Sequence, residues 1–342
     1  MAKFGRSFGL QWHITNRCDQ RCSHCYIWRG KEAKNPYSGE LNLEQGHSVV
    51  AKFLTFCTIF EVDPLIAITG GDPLLCPWFF ELLDYIHQMQ IPFIILGNPF
   101  HLNRKICEKL KILGCRGYQM SLDGLREIHD SIRNKEGSFN ATLSAIKVLQ
   151  NLGIKTMIMS TVSCRNVLEI PKLAKLAVEL GVDVYDFGRY CPPQNAIDEC
   201  LSPHEYRDFL GHVWEVLKKL ADHSTKFPLK DHLWRLYLYE IGVFQIQKSD
   251  VVLQGCNCGI RHLAILADGT VYACRRFESP VGNVLKQSFQ EIFLGGALSR
   301  YREIKNLKGC NNCDLLNYCR GCHAVSYGVY GDFFEKDPQC WR

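Results

Sequence analysis

Three thiols crowd into eight residues at Cys18, Cys22 and Cys25, with the spacing CX3CX2C. Three thiolates on so tight a loop cannot close a tetrahedral zinc site unless His24 or a distant side chain joins them. They do suit three irons of a [4Fe–4S] cubane, with the fourth iron left open to a ligand. A second field begins at Cys256 and Cys258 and reaches Cys274 through Gly269-X4-Cys274. It continues as Cys310-X2-Cys313-X5-Cys319-X2-Cys322 and ends at Cys340. These eight thiolates are enough for two fully ligated cubanes, and two four-thiolate zinc sites would use the same eight. The pairs of a zinc ribbon, however, usually stand about fifteen to twenty residues apart, and here only five residues separate Cys313 from Cys319.

Other residues suit a polar ligand beside the first loop. Gly70-Gly71-Asp72-Pro73 joins two glycines, which let backbone approach closely, to a carboxylate that accepts from an ammonium. Farther on stand Ser121-Leu122-Asp123-Gly124, His129-Asp130, Arg133 and Gly137-Ser138-Phe139. A guanidinium such as that of Arg133 can donate two parallel hydrogen bonds to a carboxylate. Asn98 and Arg189 follow later strands and are candidates for the same pocket. Cys164 and Cys191 follow the fifth and sixth strands, where a thiol facing the site could donate a hydrogen atom or act as a thiolate. His13, beside Trp12, reads as a packed strand residue.

These groups must be positioned by a chain of 342 residues, long enough at roughly 150 per domain for two domains. A hydrophobic share of 46% and a charged share of 22% exclude a disordered chain. A net charge of +5 is too weak to argue for nucleic acid or a membrane surface. The N-terminus has no apolar signal region and no run is long enough to span a bilayer, so a cytoplasmic location is expected. In a reducing compartment clustered cysteines mean metal or redox chemistry rather than disulfides.

From Leu10 to Cys191, β-like runs alternate with amphipathic stretches. Strands are expected at Leu10–Thr15, Leu65–Thr69, Phe93–Leu96, Tyr118–Leu122, Thr156–Val162 and Val182–Phe187. Helices are expected at 43–60, 79–89, 104–113, 140–152 and 170–180. Six βα units imply a parallel sheet that is a partial barrel or an open doubly wound sheet. Residues 203–250 read as a helical bridge. Beyond it, a hairpin at 263–266 and 271–273 turns at Asp268-Gly269, a helix-like stretch covers 288–298, and the last thirty-odd residues depend on metal for their order.

The CX3CX2C loop after the first strand resembles the signature of the radical S-adenosylmethionine superfamily. Gly-Gly-Asp-Pro resembles that family's GGE-P motif, with Asp for Glu, and the SLDG…HD..R…GSF run resembles one of its branches. The C-terminal cysteines resemble the SPASM extension, although Cys319-X2-Cys322 has two intervening residues where three are usual. The resemblance implies an α/β fold: a partial (β/α)6 TIM barrel over residues 1–202, the bridge at 203–250, and a small cysteine-rich α+β SPASM domain at 251–342. It implies three [4Fe–4S] clusters, the first chelating S-adenosylmethionine, which is cleaved to a 5′-deoxyadenosyl radical. His24, Gly70, Gly71, Asp72, Asn98, Ser121, Arg133 and Arg189 would line the cofactor site. Cys256, Cys274 and Cys322, with Cys258 as a candidate fourth, would bind an inner auxiliary cluster; Cys310, Cys313, Cys319 and Cys340 would bind the outer one.

Most enzymes of this resemblance modify peptides, so the expected substrate is a ribosomally made precursor peptide that is crosslinked, oxidised or epimerised. With nine residues before Leu10, a separate recognition protein could present the peptide. A flavodoxin- or ferredoxin-type reductant is the other expected partner; neither nucleic acid nor membrane is. The alternatives are a small-molecule substrate in cofactor biosynthesis, such as a tetrapyrrole, and a non-catalytic iron–sulfur or zinc protein.

Overall fold

The computed structural model describes residues 7–28, 39–193 and 199–342; residues 1–6, part of the segment read for a signal sequence, lie outside these. β1 (Ser7–His13), α1 (Leu43–Ile59), β2 (Asp63–Thr69), α2 (Phe79–Gln88), β3 (Phe93–Leu96) and α3 (Arg104–Ile112) form three βα units. β4 (Gly117–Ser121) is followed by two helices, α4 (Arg126–Arg133) and α5 (Ser138–Asn151). β5 (Lys155–Val162), α6 (Ile170–Glu179) and β6 (Val184–Arg189) complete the series. β1 to β6 pair in parallel in sequence order, and β6 does not return to β1, so the barrel is open. Leu10, Trp12, Ile66, Ile68, Phe93, Ile95 and Tyr118 are all buried, as strands covered on both faces require.

Local signals set the helix ends. Asn42 with Gln45, and Ser202 with Glu205, form capping boxes at the starts of α1 and α7 (Pro203–Lys219). Gly153 and Gly181 end α5 and α6 with positive φ, +66° and +64°. The bridge holds α7 and α8 (Leu233–Glu240). Among the described residues, no helix is long and apolar enough to cross a membrane.

The C-terminal region is joined to the barrel by the sheet itself. β7 (His262–Ile265) lies parallel to β1, and β8 (Thr270–Tyr272) and β9 (Pro280–Asn283) extend it antiparallel, giving nine strands. Gly295 splits the expected helix at 288–298 into α9 (Phe289–Leu294) and α10 (Gly296–Ser299). The end of the chain has more core than expected. α11 (His323–Tyr330) buries Ala324 and Val325, and Phe333 packs against Phe277, Tyr301 and His323 with ring centroids 5.7, 4.7 and 4.4 Å away.

Helix α4 escapes an apolar periodicity search because its buried face carries His129 and Arg133 as well as Ile132. His129 Nδ1 accepts from the Asp123 amide at 3.0 Å, which leaves Nε2–H to donate to Ser138 Oγ at 3.1 Å. Ser138 Oγ also accepts from Gln20 in the cysteine loop, at 3.1 Å. The Asp130 carboxylate accepts from the amides of Gly137 and Phe139 at 2.8 and 2.7 Å. α5 has no capping side chain of its own, so Asp130 supplies its first-turn acceptor. The HD and GSF portions of the run therefore build the β4–α4–α5 corner.

Arg189 stands on the cavity wall, as expected, but most of its guanidinium is engaged inward: 1% exposed, it is held by Asp231 at 2.8 Å and Asp337 at 2.8 Å, with Gln339 at 3.3 Å, and Nη2 is left without a partner. Buried charge needs counter-charge, and the two carboxylates come from the bridge and the tail. One side chain at the end of β6 thus ties together all three stretches of the chain.

Removing that cation leaves two buried carboxylates uncompensated. Arg189→Met should lower unfolding stability by about 3–5 kcal/mol, read as the urea midpoint, and adding Asp231→Asn and Asp337→Asn should recover part of the loss.

Burial and the nearby Arg133 push the His129 pKa down to about 4. Between pH 4 and 6.5 the unfolded chain then binds more protons than the folded one, so stability should rise with pH across that window and level off above it. The full swing is roughly 3 kcal/mol. His129→Gln should flatten the dependence of the urea midpoint over the same range.

Candidate active site

A cavity of about 360 Å³ opens at the C-terminal ends of the strands, where parallel α/β folds place their ligands. The cysteine loop, with Cys18, Cys22, His24 and Cys25, forms one wall. Gly70, Gly71, Asn98, Ser121 and Arg133 also line it. So do Cys191, Cys322, Lys230, His232, Arg275 and Arg276 on the far side. The fold thus brings cysteines from residue 18 to residue 322 to one space.

The loop is held from several sides. Its entry rests on the double glycine: Gly71 N donates to Thr15 O at 2.9 Å and Asp72 N to Arg17 O at 2.6 Å. A Cβ on Gly70 would lie 2.3 Å from Thr15 O, and one on Gly71 would lie 2.1 Å from Arg17 O. The glycines therefore admit the backbone of the cysteine loop itself. Asn98 Nδ2 donates to Cys18 Sγ at 3.3 Å, and Arg133 donates to Cys22 Sγ at 3.6 Å. Donors aimed at sulfur favour the thiolate, whereas burial drives the Cys18 thiol up to about 11. Metal ligation offsets that penalty.

Arg133 also pairs with the fully buried Asp123. Its Nε remains without a hydrogen-bond partner, so one donor is left for a carboxylate in the cavity. Asp72 departs from its expected place. It does not line the cavity; Oδ1 accepts from Leu74 N at 3.3 Å and caps the short turn at 73–75. Oδ2 is buried and unpartnered, and desolvation raises the carboxyl to about 7.

The remaining sulfurs fall into two groups. Cys256, Cys258, Cys274 and Cys322 are neighbours, and Cys191 joins them from the end of β6. Cys310, Cys313, Cys319 and Cys340 form the other group. The shortened Cys319-Arg320-Gly321-Cys322 segment serves both, because Arg320 and Gly321 take φ of +63° and +67°. Two consecutive left-handed residues turn the chain sharply enough to send Cys319 to one group and Cys322 to the other. Asp337 fixes the turn by accepting from Cys322 N at 2.7 Å.

Cys191 is hydrogen-bonded to Cys322, which that bond pulls down to about 5 against its burial. Cys164 departs from expectation. β5 ends at Val162, the Cys164 amide is taken by Glu199 O at 3.1 Å, and the residue is exposed rather than on the cavity wall.

The donor set fits iron–sulfur clusters: three thiols on the first loop and eight more in two C-terminal groups are the soft ligands that such clusters take.

The cations on the far wall were not anticipated. Arg275 and Arg276 directly follow Cys274, and proximity to a ligand cysteine was the available signal. Lys230 and His232 sit at the start of α8, where nothing in the sequence marks them. Asp231, the carboxylate among them, is already bound to Arg189.

Residues 12–177 match the model of the radical SAM superfamily, and residues 256–323 match SPASM, an iron–sulfur cluster-binding domain. The AdoMet-dependent heme synthase of Methanosarcina barkeri is 29% identical over 97% of this chain and 95% of its own length. The Fe-coproporphyrin III synthase of the same organism is 28% identical over 96% and 86%. Mycofactocin maturase MftC of Mycobacterium ulcerans is 29% identical over 97% and 87%. In fold, the chain is similar to native anSMEcpe with bound AdoMet, with a TM-score of 0.77 and 18% identity over 97% of this chain and 93% of the other. It is also similar to Streptococcus suis SuiB bound to S-adenosylmethionine, with a TM-score of 0.76 and 16% identity over 98% and 77%. With iron–sulfur clusters and S-adenosylmethionine as its cofactors, the chain carries a radical SAM domain followed by a C-terminal SPASM domain.

Proposed function

We propose that this enzyme oxidises a small anionic molecule in cofactor biosynthesis, of the iron-tetrapyrrole class named by its heme synthase and Fe-coproporphyrin III synthase relatives. The charge of the far wall carries this reading. Lys230 and Arg275 have no carboxylate in ion-pair contact among the described residues, while Arg276 is engaged by the inner sulfur group and Asp231 is spent on Arg189. Such a wall attracts an anion and repels a cation. The similarity to those relatives along nearly their whole length supports the same class.

Cys18, Cys22 and Cys25 would hold the first cluster, with Asn98 and Arg133 donating to its sulfurs. When bound, cluster and S-adenosylmethionine together supply a 5′-deoxyadenosyl radical that takes a hydrogen atom from the substrate. Ser121 and the free Nε of Arg133 would orient the cofactor's polar groups. Leu96, Met159 and Phe187 give the cavity apolar wall that keeps water from competing. Arg276 donates to Arg189 O at 2.6 Å and to Cys322 Sγ at 3.7 Å, which sets its charge beside the inner sulfur group. Cys191, on the same wall and hydrogen-bonded to Cys322, would be the thiol that meets a substrate radical. A flavodoxin- or ferredoxin-type protein would supply the electron.

The expected peptide substrate is the second reading, favoured by the match to MftC. One experiment separates the two. Reduced, reconstituted enzyme with S-adenosylmethionine is given iron coproporphyrin or a peptide encoded beside the gene. The expected outcome is 5′-deoxyadenosine formed in step with a lighter macrocycle that has lost hydrogen, alone or with carbon dioxide. A mass or deuterium change confined to the peptide would reverse the order of the readings.

Ligand removal should separate the clusters. Serine at Cys18, Cys22 and Cys25 should remove one cubane's iron and abolish 5′-deoxyadenosine formation. Serine at Cys310 and Cys340 should instead lower iron content while the uncoupled cleavage of S-adenosylmethionine persists.

A further inference from the structure

Gln11 and His13 stand two residues apart on β1 and so share a face of the strand. Both are buried, at 5% and 1% exposure. Gln11 Nε2 and both ring nitrogens of His13 have no hydrogen-bond partner. Arg275 reaches this point from the turn after β8 and donates to Gln11 Oε1. Its other side-chain partner is the Tyr26 hydroxyl, whose ring lies edge-on to His13 at 5.8 Å. Gln11, Tyr26 and Arg275 all line the cavity.

Among the described residues the side-chain partners of the guanidinium are therefore neutral, although a cation drawn from water calls for an anion. Gln11 Nε2 beside it is an unpartnered donor, and the His13 ring carries one donor and one acceptor nitrogen. Burial, followed by the charges of Arg275 and His262, lowers the His13 pKa to about 3, so the ring offers one N–H without adding a second charge. Facing the Arg275 charge and the Gln11 amide donor, a carboxylate brings acceptors and the counter-charge that a hydroxyl or amide ligand lacks.

We infer that Gln11 and Arg275 form a carboxylate subsite that fixes an acidic side chain of the substrate on the β1 side of the cavity. Arg275 and the free Nε2 of Gln11 hold the oxygens, and the buried His13 ring backs the strand face without reaching the cavity. The subsite lies apart from Ser121 and Arg133 on the β4 side. It rests on the small-molecule reading only for the identity of the molecule that carries the carboxylate.

The test uses the anaerobic, cluster-loaded enzyme saturated with S-adenosylmethionine. Iron coproporphyrin and its tetramethyl ester are titrated separately by absorbance. The acid should bind at least about tenfold more tightly than the ester, the discrimination expected of hydrogen bonds to a charged group. Arg275→Gln and Gln11→Leu should each narrow that preference and leave ester affinity unchanged, and Arg275→Lys should keep part of it. Equal binding of acid and ester by the wild type, or a preference that survives Arg275→Gln, would overturn the subsite while leaving the tetrapyrrole reading standing. An Arg275→Gln protein whose main defect is weaker S-adenosylmethionine binding would overturn it too. If neither porphyrin binds, the tetrapyrrole reading fails, and phenylglyoxal footprinting judges the subsite alone. Succinate, but not succinamide, should slow modification of Arg275 relative to the exposed Arg116; equal rates would overturn the proposal.

Discussion

The arrangement of this molecule depends on one buried cation. Arg189 closes the last barrel strand and is bound by carboxylates from the bridge and from the tail. Asp337 is occupied three times, by the guanidinium and by the amides of Cys322 and Gln339. The residue that satisfies the charge of β6 therefore also sets the backbone of a sulfur-bearing turn. Without Arg189, Asp337 would have reason to move toward water, and Cys322 would lose the contact that aims it at the cavity. The cost of burying charge is what couples the barrel mouth to the placement of the inner sulfurs.

Two neighbouring arginines then divide the work of the far wall. Arg276 faces sulfur and backbone carbonyl, where its charge offsets thiolates. Arg275 turns the other way, toward Gln11 and Tyr26 between β1 and β7. The parallel pairing of β7 with β1 makes this possible, because it brings the turn after β8 alongside the inward face of the first strand. A segment that reads as a separate metal-binding appendage thus supplies part of the catalytic cavity.

Much of the fold was legible because parallel strands buried on both faces leave apolar runs. The apolar run Phe93–Leu96 is the observed extent of β3, and the other five barrel strands lie within a few residues of their apolar runs. The cysteine groups were legible because ligand spacing is local in sequence. Pairings across long separations were not. Nothing at residues 262–265 announces a partner at residues 9–12, and nothing near Arg189 indicates carboxylates at 231 and 337. Helix α4 was hidden because polar residues fill part of its buried face. Cys164 was misplaced because following a strand does not fix which way a side chain leaves it. His13 read as ordinary packing, since only the structure reveals that its ring nitrogens lack partners.

The final segment holds packing that its composition does not announce. Cysteine-rich chains with small cores usually need metal to fold, and residues 310–342 looked like one. Yet Phe277, Tyr301 and Phe333 come together with His323, drawing on residues from before the cysteine pairs and after them. An aromatic cluster of this kind buries large apolar area and favours tilted and edge-to-face contacts. The tail also owns the Asp337 side of the clamp. Side-chain packing and charge pairing thus give this region a framework that does not consist of sulfur ligation alone, and the metal sites it carries are built onto it.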